Sequence, residues 1–232
     1  MGTIVAIGGG EMGRILEDTN GVEYQTSIET THIDSAIIRL TQKAHPKVLF
    51  VGTASHDNPA YADTVRRQYL NRLGCASFEI LNLETEDLSY DDILKKVMET
   101  DIIYVGGGDT TYMLKVWREK GVDEILRKAY QKGTVLSGLS AGAICWFDWY
   151  DNMDDVETLD ELALVPGLSF IKGFCVPHYE ELSEEEKEKI NFLLKGKGIS
   201  GWALDNCSAI IFQDSKMEII SSEDGRTTRK IP

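Results

Sequence analysis

The feature that most constrains this chain is a repeated alternation of short apolar runs with longer stretches of helical period. Thr3–Ile7, Lys47–Val51, Ser77–Leu81, Asp101–Val105 and Thr134–Ser137 are predominantly apolar, and each ends in turn residues. Runs of this length without strict polar alternation read as strands buried on both faces. Between them, Tyr61–Leu73 places Val65, Tyr69 and Leu73 at helical spacing. Tyr90–Glu99 and Thr110–Arg127 behave similarly, with Gly121 dividing the latter. Such β-α alternation predicts an α/β domain: a mainly parallel sheet, helices on both faces, right-handed crossovers.

Beyond residue 146 the pattern changes. Asp148–Glu161 carries seven acidic residues among 14 and reads as a long surface loop. Ser183–Leu194 reads as a helix opened by a capping box of Ser183 and Glu186, with Ile190 and Leu193 on its apolar face. Ala203–Leu204, Ala209–Phe212 and Met217–Ile220 read as closing, antiparallel strands. No repeat, low-complexity tract or linker interrupts the 232 residues, so a single domain over 1–232 is expected.

Composition narrows the function classes. A net charge of -14 argues against a nucleic-acid groove and against an anionic membrane surface. There is no apolar run long enough to span a bilayer, and the first ten residues have no basic flank before their short apolar stretch. Cys75, Cys145, Cys175 and Cys207 lie far apart, without CxxC or metal-ligand spacing, and read as reduced core residues. A cytoplasmic protein without metal or cofactor is the expectation, and a homodimer is left open. Gly8–Gly13 matches GxGxxG after a strand. The chain then runs through polar Thr19–Thr31 instead of a second strand ending in an acid, so dinucleotide binding gains little support.

Two glycine-bearing segments could carry chemistry. Gly138-x-Ser140-x-Gly142 lies between a strand and an apolar helical run, where a nucleophile elbow belongs. The competing reading is a small-residue turn in which Ser140 merely caps the helix. Gly106-Gly107-Gly108 also follows a strand, and its amides could approach a developing oxyanion; alternatively it is a turn capped by Asp109 or Thr110. Of the histidines, His45 reads as a solvated turn residue and His32 as a helix start, while His56 lies just past a strand end and could line a cleft. His178 follows an apolar run and Pro177, with enough chain after Ser140 for one more strand and a return.

Val105–Thr110, Gly138–Ala143 and Val176–Tyr179, in this order and spacing, resemble the peptidase E family, which also includes cyanophycinases. The opening Ile4–Glu11 is similar to the first strand and turn of these proteins. The resemblance implies a three-layer αβα sandwich of the class I glutamine amidotransferase kind, with serine replacing that group's cysteine. It also implies a serine peptidase acting on short peptides, with Ser140 as nucleophile, His178 as general base, and Gly108 and Ala141 as oxyanion donors. The third triad member transfers less cleanly. Peptidase E carries an aspartate downstream of the serine, which falls at Asp155 beside Asp154. Cyanophycinases use a glutamate in a segment similar to Leu204–Ala209, whose position here is Asn206, preceded by Asp205. Asp155 and Asp205 both stand as candidates. A non-catalytic small-molecule or peptide-binding protein on the same fold is the alternative function.

Overall fold

A computed structural model describes every residue except Met1, Asp154, Asp155 and Ser215. The five runs recognised as strands form the parallel part of one sheet: β1 (Thr3–Ile7), β4 (Lys47–Val51), β5 (Ser77–Leu81), β6 (Ile102–Val105) and β7 (Val135–Leu139). A hairpin of β12 (Ser208–Gln213) and β13 (Lys216–Ser221) adds antiparallel to β1, giving the order β13-β12-β1-β7-β6-β4-β5. Between β1 and β4 lies a separate two-stranded hairpin, β2 (Ile15–Glu17) and β3 (Glu23–Gln25).

Side-chain alternation along these strands separates two cores. Val5 and Ile7 of β1, with Val48 and Phe50 of β4, pack against Ile33 and Ile37 of α1 (Thr31–Leu40) and Val65 of α2 (Pro59–Arg66). Ile4, Ala6, Leu49 and Val51 point the other way, against α3 (Tyr90–Met98), α4 (Thr110–Lys120) and α5 (Val122–Lys132). Both faces of the central strands are therefore covered, and β1, β4, β6 and β7 are buried along nearly their whole length, whereas the edge strands β5 and β13 are partly or largely exposed. The three-layer αβα expectation holds. No helix among the described residues is long and apolar enough to cross a membrane.

Three readings are corrected. The acidic stretch 148–161 is not wholly a loop: Phe147–Asp151 is a strand, β8, paired with β9 (Leu164–Pro166) and β10 (Ile171–Val176). Phe147 and Tyr150 are buried in the core, and their burial outweighs the carboxylates between and beyond them. With β11 (Gly201–Leu204) and β14 (Thr228–Ile231), these strands make a second sheet, β14-β11-β10-β8-β9, covered outside by α7 (Glu184–Lys197). The apolar run after Ser140 is also shorter than a full helix: α6 is the single turn Ala141–Ile144. The helix expected over Tyr61–Leu73 begins earlier, with Asn58 capping Ala60 and Tyr61, and passes into a π turn over Arg67–Arg72. That widened turn lets adjacent Gln68 and Tyr69 both donate to buried Asp34, at 2.8 and 3.0 Å.

Register decides where the site forms. Ile7 lies opposite Leu139 on one side and Ala209 on the other, and Val105 lies opposite Gly138. The segments Gly8–Gly10, Gly106–Gly108, Ser140 and Asn206 therefore emerge at one end of the sheet, where open α/β folds bind ligands.

Candidate active site

Ser140 occupies a strained elbow. Its φ of 57° and ψ of -116° lie outside the regions that side-chain-bearing residues normally adopt. The strain is held by Ser140 N–H donating to Ile7 O at 3.0 Å, and by Ser140 O accepting from Ala143 and Ile144. Both flanking glycines are required by space. A Cβ on Gly138 would stand 2.3 Å from Gly142 O, and one on Gly142 would stand 2.3 Å from Val105 O. The turn can close only without those side chains, which is the physical content of GxSxG here.

His178 follows β10 with a left-handed backbone (φ 50°), and its N–H donates to Gly8 O at 3.3 Å. Its Nε2 stands 2.9 Å from Ser140 Oγ. Its Nδ1 stands 2.6 Å from Asn206 Oδ1. An amide oxygen can only accept, so Nδ1 carries the proton and Nε2 presents its lone pair to the serine hydroxyl. Asn206 lies in the turn between β11 and β12. It is anchored by its own N–H to the Glu180 carboxylate (3.0 and 3.1 Å) and by Nδ2 to Glu181 Oε1 (2.5 Å). Gly9 lies against both side chains: a Cβ there would come within 1.9 Å of Asn206 Oδ1 and 2.5 Å of His178 Cε1. The glycine run after β1, which superficially matched a dinucleotide turn, makes room for this pair.

The two candidate acids fare differently. Asp155 lies outside the described residues. Asp205 is placed by the structure away from the imidazole, and this corrects the expectation that it could be the partner. Its buried carboxylate accepts from Arg229 Nη2 at 2.5 Å and Thr227 N–H at 3.2 Å, and so ties β14 to β11. In the turn the two neighbours face opposite ways, and it is Asn206 that faces the histidine. The sequence marks that position only as a departure from the cyanophycinase pattern, and an uncharged amide offers no other signal. Of the expected oxyanion donors, Ala141 directly follows the serine, and Gly108 shares the lining of one cleft with it. Gly107 N–H is taken by Tyr61 Oη at 3.1 Å, whereas among the described residues no acceptor takes the Gly108 or Ala141 amide. A Cβ on Gly108 would stand 2.1 Å from Ala54 O, so this loop too must be glycine. His56 pairs with Glu84 at 3.2 Å and lines neither cleft, and His45 bonds Gly74 O.

Ser140 and His178 stand on the ridge between two clefts of about 800 and 640 Å³. The larger is walled by the β2-β3 hairpin and includes Arg14 and Arg226, each already paired with a glutamate, Glu11 and Glu180. The smaller has Asp109, Asp151 and Glu186 in its lining and, among the described residues, no lysine or arginine; Glu181 borders both. In the lining of the larger cleft, Glu29, Cys207 and Glu223 bring donor atoms within 4.8 Å of one another and, among the described residues, are the group that could hold a metal. Burial pushes the Cys207 thiol up to about 12, which works against the thiolate a metal would need.

Comparison with known proteins gives the lineage. Residues 19–220 match the sequence model of peptidase family S51. The whole chain also aligns with 92% of the uncharacterized peptidase YgaJ of Bacillus subtilis (strain 168), at 32% identity over 238 residues. The chain belongs to peptidase family S51. It is therefore a serine-type peptidase. Two solved structures share the fold of this S51 peptidase. One is a peptidase from an acI-B1 Actinobacterium (TM-score 0.70, 17% identity, covering 95% of this chain and 88% of that one). The other is a peptidase E candidate from Listeria monocytogenes EGD-e (TM-score 0.67, 18% identity, covering 95% and 98%).

Proposed function

We propose that this S51 peptidase hydrolyses short peptides through an acyl-enzyme on Ser140, with His178 as general base and Asn206 orienting it. The observation that carries this is the 2.9 Å contact between Ser140 Oγ and His178 Nε2 at a strained elbow. As Oγ attacks the peptide carbonyl, its proton passes to Nε2, and the developing oxyanion meets the amides of Gly108 and Ala141. Collapse breaks the C–N bond, and the leaving amine takes the proton from His178. Water then attacks the ester by the same route in reverse and frees Ser140. The two clefts on either side of Ser140 fit a few residues each, which favours short peptides over folded proteins. Their carboxylates disfavour strongly anionic substrates. Four free, buried cysteines suit a reducing, cytoplasmic setting, which cell fractionation would test.

The test is a dipeptide-library digest with product mass spectrometry, run on the wild type and Ser140→Ala. The variant should keep its fold and lose turnover by about 10⁴-fold or more. Equal turnover by the two proteins rules the mechanism out. Labelling by a fluorophosphonate that is lost in Ser140→Ala separates this reading from a non-catalytic binding protein.

A further inference from the structure

Ser-His-Asp triads set a carboxylate directly against the histidine, yet here, as in Cys-His-Asn sites, the group at Nδ1 is a neutral amide. An asparagine does not choose its own orientation: turned over, its Nδ2 would face Nδ1 and favour the wrong tautomer. The next group along the chain of contacts makes that choice. Glu181 Oε1 lies 2.5 Å from Asn206 Nδ2, and a carboxylate can only accept. The amide must therefore turn its NH₂ to Glu181 and its oxygen to His178, which leaves the Nε2 lone pair facing Ser140 Oγ at 2.9 Å.

We infer that Glu181 is a positioning residue for the reaction, acting through Asn206 to fix the reactive tautomer of His178 and to stabilise the imidazolium formed during attack. The inference rests on the Ser140–His178 reading above. Donation from Nδ2 to an anion draws negative charge onto Oδ1, so the neutral amide passes on part of what an adjacent carboxylate would supply. Among the described residues no other nearby charge is as well placed. The Glu180 carboxylate is taken by Asn206 N–H and by Arg226 at 2.7 Å, and Glu223 lies beside the same arginine. Arg14 and Glu11, in the lining of the same cleft, pair with each other. Glu181 belongs to an exposed turn and borders both clefts, so water screens it until a bound substrate displaces that water.

The test uses a fluorophosphonate, which needs no knowledge of the substrate. Oγ forms a bond to phosphorus, fluoride leaves, and the hydroxyl proton passes to His178. Rates are measured against pH for the wild type, Ser140→Ala, Glu181→Gln, and Glu181→Gln combined with Asn206→Asp. Gln keeps an acceptor for Nδ2 but removes the charge and the one-way hydrogen bonding. The single change should slow labelling about tenfold. It should also move the rising limb of the profile to lower pH, because an imidazolium without the anion loses its proton more readily. The double change puts a carboxylate directly against Nδ1 with a donor behind it, and should bring the rate back to within about threefold of the wild type. A Glu181→Gln variant with wild-type rate and profile overturns the inference. So does a loss that the double change fails to restore, since that would mark Glu181 as a structural contact only. Labelling of Ser140→Ala at the wild-type rate sinks the nucleophile reading itself, and the role of Glu181 with it.

Discussion

Gly9 shows how little tolerance the site has at the scale of one residue. The turn after β1 approaches His178 and Asn206 so closely that a single methyl group would displace their hydrogen bond. Gly9→Ala should therefore leave the sheet intact and lower turnover by about 100-fold or more, as misplaced catalytic groups do. Parallel circular dichroism and fluorophosphonate labelling would check this, and normal labelling would mean that the imidazole does not need its place beside Asn206. Gly138 and Gly142 differ, because an added Cβ there would meet backbone that cannot move. Motif glycines of that kind were legible in the sequence. Gly9 was legible as a glycine but not as a site residue, since the groups it accommodates come from positions 178 and 206.

Among the elements, the join between α1 and the π turn after α2 carries an unusual charge. Asp34 is fully buried and accepts from Thr30, Gln68 and Tyr69, but loss of hydration dominates and raises its carboxyl to about 6. A carboxyl raised above its unfolded value of 3.8 binds its proton more tightly in the native state. Its contribution to stability is complete below 3.8 and is lost as pH rises through 6. Relative to Asp34→Asn, the wild type should thus lose on the order of 3 kcal/mol between pH 4 and pH 7. Urea unfolding of both proteins at those two pH values measures the difference, and a difference independent of pH would show that Asp34 titrates normally. Other elements were predictable from local pattern alone. The Ser183–Glu186 capping box is present at the start of α7, and Gly121 does divide α4 from α5 with a left-handed backbone. Strand β8 was hidden because its acidic residues and their neighbours mask Phe147 and Tyr150, the two that bury it.

For the whole molecule, the two sheets and the ridge between two clefts suit a peptidase whose chemistry comes from its own side chains. Prolonged EDTA treatment should leave turnover unchanged. Complete loss reversed by zinc would instead assign a metal to Glu29, Cys207 and Glu223. The sequence by itself determined the α/β layering, the five parallel strands and the elbow at Ser140, while His178 was singled out by the family resemblance. The first three are written in local information: apolar run length, helical period, and glycines spaced around one serine. Only the tertiary structure decided the second sheet and the residue that faces His178. Asp205 and Asn206 are adjacent in sequence, and the charged one would be the natural choice of partner. The backbone of the β11-β12 turn sends Asp205 inward to Arg229 and turns Asn206 to the imidazole, with Glu181 behind it. Which of two neighbours faces the site depends on strand register and turn geometry set by distant contacts, and no local pattern records it.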